Sequence, residues 1–168
     1  MENIEKYIWY LPLLSFLFSI ISLLIPIATR PNGEILWICG LGFTPQYGLA
    51  LVQKEFLSLF SFLSTIIILF SCYAIIKMFM DYRENLEKKR ENKNDISKYW
   101  LLWIIIGIFL LIAIYFYISF DFWDRFDFIW DFWSAYTFNG AIIFLYVAGS
   151  LMILSGILLK LLKTYNYL

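Results

Sequence analysis

"WLLWIIIGIFLLIAIYFYISFDFWDRFDFIWDFW", residues 100–133, begins with an uncharged apolar run and ends with four aspartates and an arginine set among large aromatics. The run Trp100–Ser119 holds about 20 residues, and at ~1.5 Å rise per residue it matches a hydrocarbon core of ~30 Å. The acidic half cannot share that environment. Each aspartate at mid-bilayer costs roughly 3 kcal/mol on insertion scales, so four would cost on the order of 10. Only Asp121 and Arg125 have the four-residue spacing of a helical ion pair. The membrane boundary therefore falls near Ser119. Wound as a helix at about 100° per residue, Asp121, Asp124, Asp127 and Asp131 share one side. Phe122, Trp123, Phe126, Ile129, Trp130 and Trp133 fill the other. This pattern predicts a third helix that continues outward, with a solvated acidic face above an aromatic packing face.

Three more runs resemble Trp100–Ser119: Ile8–Ala28, Phe56–Ile76 and Gly140–Leu159. With 62% hydrophobic residues and a mean hydropathy of +0.75, the chain is too apolar for an ordinary soluble domain. The expectation is an all-α membrane protein, one domain over residues 1–168, built as a four-transmembrane-helix bundle. Its helices cover about 8–28, 56–76, 100–119 and 140–159. Ten of the 13 Lys and Arg fall before the first run, between the second and third, or after the fourth. By the positive-inside rule both termini and the loop 77–98 are cytoplasmic, and loops 29–55 and 120–139 face out. A multi-pass protein of the cell membrane is expected. Net charge is zero and the basic residues follow topology, so no nucleic-acid partner is indicated.

The connecting segments carry their own signals. "DYRENLEKKRENKNDISK" pairs Arg83 with Glu87 and Glu84 with Lys88 four apart, so the second helix should run on past the membrane. In the first outer loop "RPNG" marks a turn, and "EILWICGLGF" reads as one short strand bounded by Gly33, Gly40 and Gly42. So apolar a loop should fold onto the bundle or into a partner. Trp37, Phe43 and Tyr47 are the expected seat for the aromatic face of residues 120–133. Cys39 lies in this loop and Cys72 far down the second helix, too far apart for a disulfide. Tyr7, Trp9, Tyr10, Tyr99, Trp100 and Trp103 read as an aromatic belt at the inner membrane surface.

Within the spans the polar residues are small. Ser15, Ser19 and Ser22 form one stripe on helix 1, and Ser58, Ser61 and Thr65 another on helix 2. Gly149 and Gly156 are seven apart on helix 4. Such stripes suit close helix packing. A water-lined path is the other use of hydroxyls, but ion and proton transporters usually also carry an ionisable group at mid-membrane, and these four runs have none. The chain has no histidine, no phosphate-binding loop, no paired Cys-x-x-Cys and no nucleophile elbow. No catalytic residue, metal site or cofactor is expected. Asp127 and Asp131 alone are too few for calcium, which takes 6–8 oxygens.

Four helices with both termini inside, a longer strand-bearing first outer loop and a third helix projecting outward resemble the claudin and peripheral-myelin-protein superfamily. Of that family's Gly-Leu-Trp…Cys…Cys loop signature, "GEILWICG" offers Gly33, Leu36, Trp37 and Cys39. Two residues separate Gly33 from Leu36, one separates Trp37 from Cys39, and the second loop cysteine is missing. The resemblance implies lateral or cell–cell association through the outer loops, without cofactor or catalysis. The expected interaction surface is Trp37, Phe43, Asp121, Trp123, Asp124, Asp127, Trp130, Asp131 and Trp133. Its partners would be membrane lipids and either further copies of the chain or another membrane protein. A small oligomeric transporter, channel or lipid-handling protein is the alternative.

Overall fold

The computed structural model describes residues 7–51, 55–87, 99–124 and 136–164. Four helices and five short strands make it up. The helices are α1 (Tyr10–Leu24), α2 (Glu55–Glu87), α3 (Trp100–Asp124) and α4 (Gly140–Thr164). Three of them are long and apolar enough to cross a membrane, over Leu59–Glu84, Trp100–Ile118 and Gly140–Thr164, whereas α1 is a shorter apolar helix.

Helix α1 is shorter than the hydrophobic run that suggests it, and Pro26 supplies the reason. A residue before proline is pushed out of the helical region. Ile25 accordingly sits at φ −85, ψ 139, and its N–H makes a last helical bond to Ile21 O at 3.0 Å. Ala28, counted into the first span by hydropathy, is a strand residue instead. Helix α2 does run on past its apolar core, to Glu87, as its i,i+4 charge pairs suggest. Helix α3 continues into the acidic stretch as far as Asp124. The residues beyond it, including the rest of the aspartate–aromatic face, lie outside the described segments.

The helices form a ring in which each packs on its sequence neighbours and α4 closes back onto α1. Backbones approach closest between α3 and α4. A Cβ added at Gly107 would stand 2.7 Å from Gly149 O, and one at Gly156 would stand 2.6 Å from Trp100 O. Only residues without a side chain let two helices meet at that distance. The core carries Trp103, Leu110, Ile114 and Tyr117 of α3 against Ile68 and Ile75 of α2 and Leu145 and Met152 of α4.

At the end of the bundle away from the sheet, four rings gather around Trp9. Trp103, Tyr82, Phe79 and Tyr99 lie 4.9, 5.2, 5.6 and 5.9 Å from it, centroid to centroid. Trp9, Trp103 and Tyr99 are therefore core residues here and not members of a lipid-facing belt. Tyr7 and Tyr10 remain exposed. Hydropathy and position cannot separate the two environments, because a ring near a helix end suits either.

The strands cap the other end: β1 (Ala28–Thr29), β2 (Ile35–Leu36), β3 (Leu41–Thr44), β4 (Gly48–Leu51) and β5 (Thr137–Phe138). They form one antiparallel sheet in the order β4-β3-β2-β1-β5. The stretch "EILWICGLGF" is thus two strands and not one. Gly40, at φ 81, adopts the left-handed conformation that other residues resist. Its N–H bonds Trp37 O at 3.1 Å and turns the chain back on itself. Gly42 does not bound a strand; it pairs with Leu36 on one side and Ala50 on the other. The fifth strand comes from the α3–α4 connection and pairs with β1, so one sheet joins both connections.

Candidate functional site

Register divides the sheet into two faces. Ala28, Leu36 and Gly42 are in register and buried, so this face rests on the bundle. The alternate positions Thr29, Ile35, Phe43 and Leu49 are aligned on the face turned away from the helices, with Leu41 opposite Leu51 beside them. The β3–β4 part of this face is open, with Leu49 64% and Leu51 70% exposed and Phe43 also exposed, whereas Thr29, Ile35 and Leu41 are half-buried. Tyr47, at the β3–β4 turn, is 83% exposed. From Leu41 to Leu51 no residue is charged. Strand β4 also forms one edge of the sheet, the side from which unpaired backbone groups can recruit another chain.

Several bonds hold this sheet together and to the helices. Trp37, expected as part of an interaction surface, spends its indole N–H on Leu24 O at 3.1 Å. That carbonyl is in the last turn of α1, where no helical donor remains for it. Ile27 N donates to Leu36 O at 2.7 Å and Asn139 N to Ile27 O at 2.8 Å. Beneath the β2–β3 turn, a Cβ added at Gly40 would stand 3.2 Å from Ser61 Cβ. Thr65 Oγ1 donates a long bond to Ile38 O at 3.4 Å.

A charged cluster fastens the two connections together. Arg30 Nη1 donates to Glu34 Oε2 at 2.9 Å, and Tyr136 OH donates to the same oxygen at 3.1 Å. The Arg30 guanidinium also lies 4.6 Å from the centre of the Tyr136 ring. Burial acts to raise the Glu34 pKa. Hydrogen bonds from Arg30, Asn32 and Tyr136, with the charge of Arg30, outweigh it and hold the carboxyl below its ordinary value. The Tyr136 hydroxyl is pushed up to about 12, chiefly by burial and further by the Glu34 carboxylate, with Arg30 opposing. At neutral pH the cluster is a phenol donating to a carboxylate already paired with a cation. Partly exposed ion pairs of this kind stabilise by about 0–1 kcal/mol, so its effect is chiefly to fix geometry.

The small polar residues divide into roles that spacing alone does not separate. Ser15 Oγ donates to Ala148 O at 2.8 Å across the α1–α4 seam. Ser64 Oγ donates to Ala113 O at 2.8 Å across α2–α3. Ser19 and Ser22 are equally buried and donate back to Ser15 O and Ser19 O of their own helix, and Ser19 also meets the Cys72 thiol of α2. Ser61 and Thr65 lie under the β2–β3 turn, with Ser61 also against Tyr117 of α3, and the Ser58 side chain is outside the described set. Gly149 and Gly156 both meet α3. Their counterpart Gly107 has no small-residue stripe on its own helix to announce it.

Asp121, Trp123 and Asp124 lie on the last turn of α3, where only the backbone is described; Asp127, Trp130, Asp131 and Trp133 fall outside the described residues. Among the described residues no three His, Cys, Asp or Glu side chains come together as a metal ion would need. Cys39 and Cys72 are both free thiols. Comparison with known proteins finds no family model that matches the chain and no significant match among curated proteins.

Proposed function

We propose that this chain is a non-enzymatic, multi-pass cell-membrane protein that associates with further copies or with another membrane protein through its sheet-bearing end. In this reading all four helices span, with both termini and residues 77–98 in the cytoplasm, and the sheet stands outside. Helix α1, at 15 residues, reaches only ~22 Å at ~1.5 Å per residue. The helical residues Tyr7 and Ile8 before it and the non-helical residues 25–27 after it complete the crossing. The lopsided distribution of Lys and Arg gives the orientation. A strand-bearing first outer connection above four helices accords with the claudin-like resemblance.

One observation carries the association reading: the face of the sheet turned from the bundle presents Phe43, Leu49 and Leu51, uncharged and open, on a platform bonded to the helices. Monomeric soluble surfaces seldom leave such contiguous apolar groups uncovered. Trp130 and Asp127, on the expected outward extension of α3, belong to the same proposed surface. The conduit alternative needs hydroxyls facing water, whereas Ser15 and Ser64 are buried and donate across helix seams.

Topology and contact are tested together with single cysteines in intact cells, on a background lacking Cys39 and Cys72. Gln46→Cys should react with a membrane-impermeant maleimide, and Arg83→Cys only after permeabilisation. Leu49→Cys should crosslink to a second polypeptide under mild oxidation. Labelling of Arg83→Cys from outside would overturn the orientation. Absence of any crosslink at Leu49→Cys and at Leu51→Cys would overturn the surface.

A further inference from the structure

Two turns of the sheet meet at its tip. The β1–β2 turn carries Asn32, with Glu34 following it, and the β3–β4 turn carries Thr44, Pro45, Gln46 and Tyr47. Between them lies a cavity of about 200 Å³ lined by these six residues. The turns abut closely, since a Cβ on Gly33 would stand 3.1 Å from Pro45 Cγ. Both are held in shape by side chains: Asn32 Oδ1 accepts from Glu34 N at 3.1 Å, and Thr44 Oγ1 accepts from Tyr47 N at 3.2 Å.

The lining has a definite chemical character. Glu34 and Gln46 offer oxygen acceptors, while the amides of Asn32 and Gln46 and the hydroxyl of Thr44 offer donors. No cationic side chain lines the cavity, which disfavours a phosphate or carboxylate ligand. Its single carboxylate is already paired with Arg30, too little charge for a divalent ion that wants 6–8 oxygens. Tyr47 lines the cavity and is 83% exposed. A flat ring beside interleaved donors and acceptors matches a molecule with a C–H face and hydroxyls that each donate and accept. Drug-sized ligands need about 300–1,000 Å³, so the space suits one six-membered ring.

We infer that the cavity between the Asn32–Glu34 and Thr44–Tyr47 turns is a binding site for a single neutral sugar ring, stacked on Tyr47 and hydrogen-bonded by Asn32, Glu34 and Gln46. The ring is either a glycolipid headgroup or the terminal residue of a soluble or protein-borne glycan. The inference rests on the proposed function only for which sugars reach the site, because that reading sets the sheet outside the membrane. Binding itself is independent of the apolar face and of any association through it.

The test is saturation-transfer NMR on the full chain in phosphatidylcholine nanodiscs, with methyl β-glucoside and methyl β-galactoside as probes. At least one should receive saturation, with a dissociation constant on the order of 1 mM. Tyr47→Ala removes only an exposed ring and should weaken binding about tenfold, with melting temperature and native mass unchanged. Gln46→Ala should weaken it as well. In discs doped with glucosylceramide, loss of the methyl glucoside signal assigns the site to a headgroup, and its persistence assigns it to a soluble or protein-borne glycan. No transfer to either glycoside, or transfer indifferent to Tyr47→Ala, overturns the inference, as does stronger retention of calcium than of sugar. Native mass is read on the same samples, so loss of association and loss of sugar binding are told apart.

Discussion

Tyr136 and Glu34, 102 residues apart in sequence, are joined by a 3.1 Å hydrogen bond that ties the α3–α4 connection to the β1–β2 turn. Beside it the Arg30 guanidinium touches both partners, at 2.9 Å from the carboxylate and 4.6 Å from the ring centre. The platform that carries the apolar face is thus fastened at both connections between helix pairs.

This cluster has a pH signature. Glu34 has a folded pKa below its ordinary 4.5, so its contribution is present above pH 4.5 and fades as pH falls through the lower folded value. Tyr136 has the opposite sign. Its contribution is present below its ordinary pKa of 10.0 and fades as pH rises through about 12. Melting temperature in detergent should therefore sag at the acid end, and Glu34→Gln should flatten that sag. Tyr136→Phe should remove the alkaline loss. An acid limb identical in Glu34→Gln would contradict the assignment.

The α3–α4 seam makes a second prediction. Alanine at Gly107 or Gly156 places a methyl against a backbone carbonyl of the facing helix, within 2.7 Å and 2.6 Å respectively. Overpacking of this sort costs about 1–3 kcal/mol. Each variant should lower the unfolding midpoint in a detergent titration. Gly48→Ala is a control for the open case, since no atom lies within 4 Å of its Cβ and only its φ of +71 is strained. Equal losses at all three positions would show that the seam is not close-packed.

Trp37 and Gly40 locate a third. Trp37→Phe keeps a ring and deletes the bond to Leu24 O, a net loss of about 1 kcal/mol with the α1 terminus left partly uncapped. Gly40→Ala forces an L-residue to φ +81 and presses on Ser61, and should cost on the order of 1–3 kcal/mol. Hydrogen exchange at β2 and β3 amides reads both, with faster exchange expected in each variant. Unchanged protection in Gly40→Ala would mean the turn is not built on that conformation.

The hydroxyls predict a graded series. Ser15→Ala removes a bond between α1 and α4, for which membrane measurements average about 0.6 kcal/mol. Ser22→Ala removes only a bond back along its own helix and should cost less. Ser15→Leu should do far more than either, because the site is fully buried. A Ser22→Ala variant as damaged as Ser15→Ala would argue against the α1–α4 assignment.

Much of the helix bundle was legible in the order of residues, and its exceptions have physical causes. Uncharged runs of about twenty residues marked the three long helices, because water-averse side chains and backbone bonding leave no other economical form. Pro26 stands inside the apolar run Ile8–Ala28, and a count of apolar residues carries nothing about its effect on the backbone of Ile25. Local pattern places Gly40 at the end of a strand, whereas its left-handed backbone makes it the middle of a reversal. Strand β5 has two residues, and it exists only through pairing with β1. No local pattern of that length carries a strand signal. Trp103 and Tyr99 looked like interfacial rings, and only tertiary packing decides that they point inward. Of the site, Phe43 was legible from the apolar loop. The exposure of Leu49 and Leu51 required the register of β3 with β4.

The central claim is that the uncharged outer face of the sheet is covered by another polypeptide. The most direct measurement is the native mass of the protein extracted gently from its own membrane, compared with Leu49→Ser/Leu51→Ser and with Trp130→Ala. The account predicts a mass well above one 20.0 kDa chain plus its detergent. It predicts a fall toward the monomer in the double-serine variant, with melting temperature retained because both leucines are exposed. A wild-type monomer, or an assembly unmoved by the double-serine variant, would contradict it.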